Sequence, residues 1–153
     1  MNKFIKENNF SNMHFLQNNS FVHEGTLICG TRGWMCPNGD GFTDEDQKIL
    51  DREIQRLKLS LQSGIEKEHE RLVVALHYPP FEKNKKVYSR IEQIFIEFGV
   101  DLCIYGHLHG PSQNDAFEGI ENGIQYKFVS ADYLGFMPYR LFIERGNSIE
   151  RED

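Results

Sequence analysis

The chain has 153 residues, 39% apolar and 26% charged, which suits one globular domain with its own core and excludes a disordered segment. Its 17 basic and 23 acidic residues leave a net charge of −6. That balance argues against non-specific nucleic-acid binding, which needs clustered positive charge, but leaves a small phosphorylated substrate open, because a site can be locally positive.

Residues 2–9 read as a short polar helix, and the start, with a charge of each sign and many asparagines, shows no apolar stretch like that of a signal peptide. Short apolar runs at 13–16 and 20–30, broken by Asn18, Asn19 and Gly25, read as a hairpin. Residues 30–42, with Gly30, Gly33, Pro37, Gly39 and Gly41, read as a long loop, and long loops inside compact domains are often functional. Cys29, Cys36 and Cys103 are an odd number without a tight pairing motif and read as free thiols of a reducing cytoplasm. The alternative, half a zinc site from Cys29 and Cys36, lacks the short spacing that such sites favour.

Thr43 is placed to cap a helix whose first turn carries Asp44, Glu45 and Asp46. Ile49, Leu50, Ile54, Leu57, Leu61 and Ile65 give that helix one buried stripe. Leu72–Leu76 is a continuous apolar run, as in a strand buried on both faces of a parallel sheet, and is too short to cross a membrane. Pro79 and Pro80 stop it. Val87, Ile91, Ile94, Phe95 and Phe98 then mark one face of a helix, with Gly99 as its left-handed cap. Val100–Tyr105 is a second apolar strand, so residues 72–106 form a βαβ unit with parallel strands in an α/β domain. Residues 124–130 and 140–144 read as two further strands, paired antiparallel.

Three of the six histidines fall at informative places. His77 follows the first strand of the βαβ unit, and His107 and His109 follow the second, in Gly106-His-Leu-His-Gly110. Parallel neighbours put their carboxyl ends at one edge, where open α/β sheets bind ligands. In an extended segment residues two apart point the same way, so His107 and His109 are expected to face one site with His77. Converging neutral imidazoles suit a divalent metal such as Zn, Fe or Mn; singly, each would be an ordinary polar residue at a strand end. His14, His23 and His69 have no such setting, and His69 lies in a charged surface stretch. Arg32, in the glycine-flanked loop, can pair bidentately with a phosphate or can tie loop carbonyls. Trp34 reads as a packing residue, and spacing assigns no chemistry to Tyr78 or Asp132.

Leu76-His-Tyr-Pro-Pro80 and Gly106-His-Leu-His-Gly110 resemble the last two motifs of the calcineurin-like metallophosphoesterases. Gly30-Thr-Arg-Gly-Trp34, Asp51-Arg-Glu53 and Ser130-Ala-Asp-Tyr133 resemble a bacterial phosphohydrolase branch of that superfamily. The resemblance implies the C-terminal half of an αββα sandwich, with two metals (Mn, Fe or Zn) activating a hydroxide that attacks a phosphoester of a small molecule or phosphoprotein. It also implies that His77 and His107 bind one metal and His109 the other. The family's Asp-x-His, Gly-Asp and Gly-Asn-His-Asp motifs are missing; Gly39-Asp40 falls in the wrong place. The resemblance therefore makes residues 1–153 a partial domain. Alone, it is expected to have little activity and to associate with itself or with the missing half in trans. The other reading is a non-catalytic metal-binding or protein-interaction module.

Overall fold

The computed structural model describes residues 2–10, 13–37, 41–81 and 89–141. They form a mixed α/β fold: α1 (Asn2–Glu7), β1 (Phe21–His23), β2 (Thr26–Thr31), α2 (Asp44–Gln62), β3 (Arg71–Leu76), α3 (Arg90–Phe98), β4 (Leu102–Tyr105), β5 (Gly119–Glu121) and β6 (Ile124–Phe128). All six strands make one sheet in the order β1-β2-β3-β4-β6-β5. The four central strands are parallel, and β1 and β5 are antiparallel edges.

The expected βαβ unit is present: Val73 pairs with Leu102 and Leu76 with Tyr105, in parallel register. Both long helices begin as their cap residues dictate. Thr43 Oγ1 accepts the Asp46 amide while the Asp46 carboxylate accepts the Thr43 amide, and Ser89 and Glu92 repeat the device. Gly99 ends α3 at φ 69°, the left-handed cap that glycine adopts without strain. Ile91, Ile94 and Phe95 are buried; Val87, assigned to the same stripe, lies outside the described residues. Alternation then sorts the sheet. Leu27, Cys29, Leu72, Val74, Leu76, Cys103, Tyr105, Tyr126 and Phe128 join the core with Leu50, Ile54, Leu57 and Leu61 of α2. On the opposite face Val73 and Leu102 are buried, but Ile28, Ala75 and Ile104 are only half-buried.

Three expectations are corrected. The N-terminal hairpin turns at Glu24 and Gly25, both at positive φ (46° and 68°), with His23 opposite Thr26; residues 13–16 form no strand. Two positive-φ residues are what a two-residue hairpin turn requires. Gly30 and Thr31 belong to β2, so the glycine-rich loop starts at Arg32; its residues 38–40, including Asp40, lie outside the described residues. β6 pairs antiparallel with β5, not with 140–144, and parallel with β4 on its other side. Periodicity marked a strand without naming its partner. Residues 140 and 141 are not in a strand, and 142–144 lie outside the described residues.

No described helix is long and apolar enough to cross a membrane. The three cysteines form no disulfide. Burial pushes the Cys29 thiol up to about 11 and Cys103 well above its ordinary value, which suppresses the reactive thiolate of both. Cys29 is fully buried in the core, which is no place for half of a zinc site shared with Cys36.

Candidate functional site

The parallel register brings the carboxyl ends of β2, β3, β4 and β6 to one edge, and hydrogen bonds beyond the strands tie them there. The Arg32 carbonyl accepts the amides of His77 and Tyr78, each at 3.0 Å, and the His77 carbonyl accepts the Gly106 amide at 3.2 Å. His77 therefore sits between the segment that carries Arg32 and the one that carries His107.

His77 and His107 meet as expected. His107 Nδ1 lies 3.0 Å from His77 Nε2, with the rings nearly perpendicular at 74°. One of these nitrogens donates a proton and the other accepts it. Tyr78 backs the pair, its ring 3.9 Å from that of His107. His109 Nδ1 lies 2.8 Å from Asp132 Oδ1. The segment that carries His107 and His109 is not extended, as their expected alignment assumed. The Leu108 amide donates to the Gly106 carbonyl at 2.9 Å, closing a three-residue turn on His107, whose φ is 73°. This is the rarer, strained γ-turn. His23 and His69 lie at the opposite, amino edge of the sheet, and His14 packs on Phe21.

Arg32 is half-exposed. Its guanidinium lies 4.4 Å from the centre of the Trp34 ring and 3.7 Å from Glu53 Oε1. No hydrogen bond from its side chain to a loop carbonyl is found among the described residues, so the structural alternative for this arginine takes a different form. Trp34 is the packing residue anticipated, its Nε1 donating to Asp46 at 3.0 Å and its ring 5.0 Å from that of Tyr78. It also seats the arginine.

Two functional-site residues escaped the spacing argument. Glu53 of α2, 1% exposed, accepts the Thr31 hydroxyl and Arg56 Nη1, the latter at 2.6 Å, beneath Arg32. Asp132 gathers His109, the Gly110 amide at 3.2 Å and the Gln113 side-chain amide at 2.7 Å. The hydrogen bond from His109 holds the Asp132 carboxyl below its ordinary value. The signals available were the buried stripe of α2, on whose face Glu53 falls, and the Ser130–Tyr133 motif. Ser130 itself is buried beside Gly106, and its hydroxyl has no hydrogen-bond partner among the described residues.

These donors fit a divalent metal in part. Two imidazole nitrogens 3.0 Å apart approach the edge of about 3.3 Å in a tetrahedron with metal–nitrogen bonds of about 2.0–2.1 Å. No group of three histidine, cysteine or carboxylate side chains close enough to hold a metal ion occurs among the described residues. His77 Nε2 and His107 Nδ1 are thus the pair that would hold one.

Burial first, then the neighbouring His77 and His109, hold the His107 imidazole below its ordinary value. The unfolded chain, with that histidine near about 6.5, then binds more protons than the fold between the two values. Its contribution to stability is intact above about pH 6.5, shrinks as the pH falls and levels off beneath the folded value. Urea unfolding of wild type and His107→Asn (asparagine tolerates positive φ) is expected to show a smaller loss on acidification in the variant. Equal pH slopes would assign the effect to other groups.

No protein-family model, curated protein or solved structure matches the chain.

Proposed function

We propose that this chain supplies the histidine portion of a metal-dependent phosphoesterase of the calcineurin-like type, its single sheet being part of that family's αββα sandwich. The observation that carries the reading is the contact of His77 and His107 at the carboxyl edge of a parallel sheet. His109 extends the same loop, and the Arg32 backbone is bonded to His77, with its guanidinium half-exposed. A bound metal ion would act as a Lewis acid on the phosphoryl group and lower the pKa of a bound water. The chain's own residues hold the ion through His77 and His107, and Arg32 offers a planar donor set to a phosphate. The family's carboxylate ligands belong to motifs that this sequence does not contain. The substrate on this reading is a phosphoester of a small molecule or phosphoprotein, and the ion is Mn, Fe or Zn.

The His77–His107 contact also allows a second reading, a metal-binding module without catalysis. Titration of the purified chain with Zn and Mn, alongside hydrolysis of p-nitrophenyl phosphate, separates the two. The phosphoesterase reading expects one bound ion, weakened at least about tenfold in His77→Ala and His107→Ala. It also expects slow turnover that rises when a polypeptide carrying the Asp-x-His, Gly-Asp and Gly-Asn-His-Asp motifs is added. Metal binding with no turnover under either condition favours the module, and no metal binding at all defeats both.

A further inference from the structure

We propose that Asp132 is a positioning residue that fixes the tautomer of His109 and so decides which ring nitrogen the histidine offers to a ligand. A carboxylate only accepts hydrogen bonds. With Asp132 Oδ1 2.8 Å from His109 Nδ1, the proton must sit on Nδ1, and Nε2 keeps its lone pair. Asp132 cannot easily turn away. Its other oxygen accepts the Gly110 amide at 3.2 Å and the Gln113 side-chain amide at 2.7 Å, and its own carbonyl accepts the Gly135 amide at 3.2 Å. The histidine is pinned as well: its amide donates to Ser112 Oγ at 3.0 Å, and that hydroxyl donates back to its carbonyl at 2.8 Å. The ring is largely exposed, so the free Nε2 is accessible. Histidine ligands are commonly oriented this way, by a carboxylate on the far nitrogen.

The arrangement makes an unusual demand on Asp132→Asn. Two donors, from Gly110 and Gln113, face one side of residue 132, so the asparagine oxygen must turn to them. Its NH2 group then points at His109 Nδ1, and a donor there requires Nδ1 to accept. The variant should therefore invert the tautomer and move the proton to Nε2. Asp132→Ala removes both constraints and leaves a mixture.

The use of Nε2 as a metal ligand rests on the phosphoesterase reading; the tautomer does not. The test is two-bond 1H–15N correlation on histidine-labelled protein at about pH 8.5, above the ordinary imidazole value of about 6.5. His109→Gln identifies the His109 signals. Wild type is expected to show a protonated Nδ1 and an unprotonated Nε2, Asp132→Asn the reverse and Asp132→Ala both forms. A wild-type ring protonated at Nε2 overturns the proposal even if neither variant folds, and so does an Asp132→Asn spectrum identical to wild type. Zn titration of the same samples reads the metal separately, with about tenfold weaker binding at His109 expected in Asp132→Asn. A wild-type Nδ1–H tautomer with no Zn response at His109 upholds the inference and defeats the role given to this histidine in the phosphoesterase.

Discussion

Replacing Glu53 by alanine is expected to lower the free energy of unfolding by about 2–4 kcal/mol, because it removes the acceptor at the centre of a buried charged network. Glu53 is 1% exposed and accepts from the Thr31 hydroxyl and from Arg56 at 2.6 Å, with Arg32 3.7 Å away. The half-exposed arginines can recover water when the carboxylate leaves; Thr31, buried in the strand, cannot. That asymmetry keeps the expected loss below the full penalty of an orphaned buried ion pair. The same variant frees Arg32 from one of its two anchors, leaving the Trp34 ring. Urea denaturation measures the first effect. A change under about 0.5 kcal/mol would mean that the carboxylate contributes little beyond its volume.

Gly30→Ala is expected to cost about 3 kcal/mol, at the upper end for overpacking. A Cβ on Gly30 would stand 2.1 Å from the Ala75 carbonyl oxygen and 2.8 Å from Leu16 Cδ2. Leu16 can rotate, but the carbonyl belongs to the paired strand β3 and can move only if β2 and β3 separate. Separation is resisted from the other side, since the Gly30 amide donates to the buried Ser60 hydroxyl of α2 at 2.9 Å. The damage also reaches the site, because Arg32 follows two residues later and its carbonyl holds His77. Thermal unfolding gives the stability change, and the histidine spectra report whether the His77–His107 contact survives. Wild-type stability in this variant would show that the two strands slide without loss.

The parts of this fold that sequence reveals are those fixed by local chemistry. The apolar runs of β3 and β4, the stripe of α2, and the caps at Thr43 and Gly99 each depend on neighbours a few residues away. β5 is only Gly119–Glu121, too short to alternate, and so it left no pattern. The partner of β6 depends on sheet order, which no single strand encodes. At the site, the meeting of His77 and His107 follows from parallel register. The tight turn at His107 does not, because it depends on one backbone angle there. Asp132 reaches His109 from a separate loop, and only tertiary structure reveals that contact. Glu53 was readable in principle, since it falls on the buried face of α2, but nothing in the pattern says which groups it would meet there.

The strand order has a kinetic consequence. Among the described strands only the edge pairings, β1 with β2 and β5 with β6, join strands linked by tight turns. Every pairing inside the sheet spans a crossover, the longest running from β2 past α2 to β3. Loop-closure entropy makes such contacts late and slow, whereas hairpins close in about 1–10 μs. The two hairpins can thus form before the strands between them find their register. His77, His107 and Arg32, all placed by those inner pairings, come together near the end of folding and are among the first to part when the sheet opens.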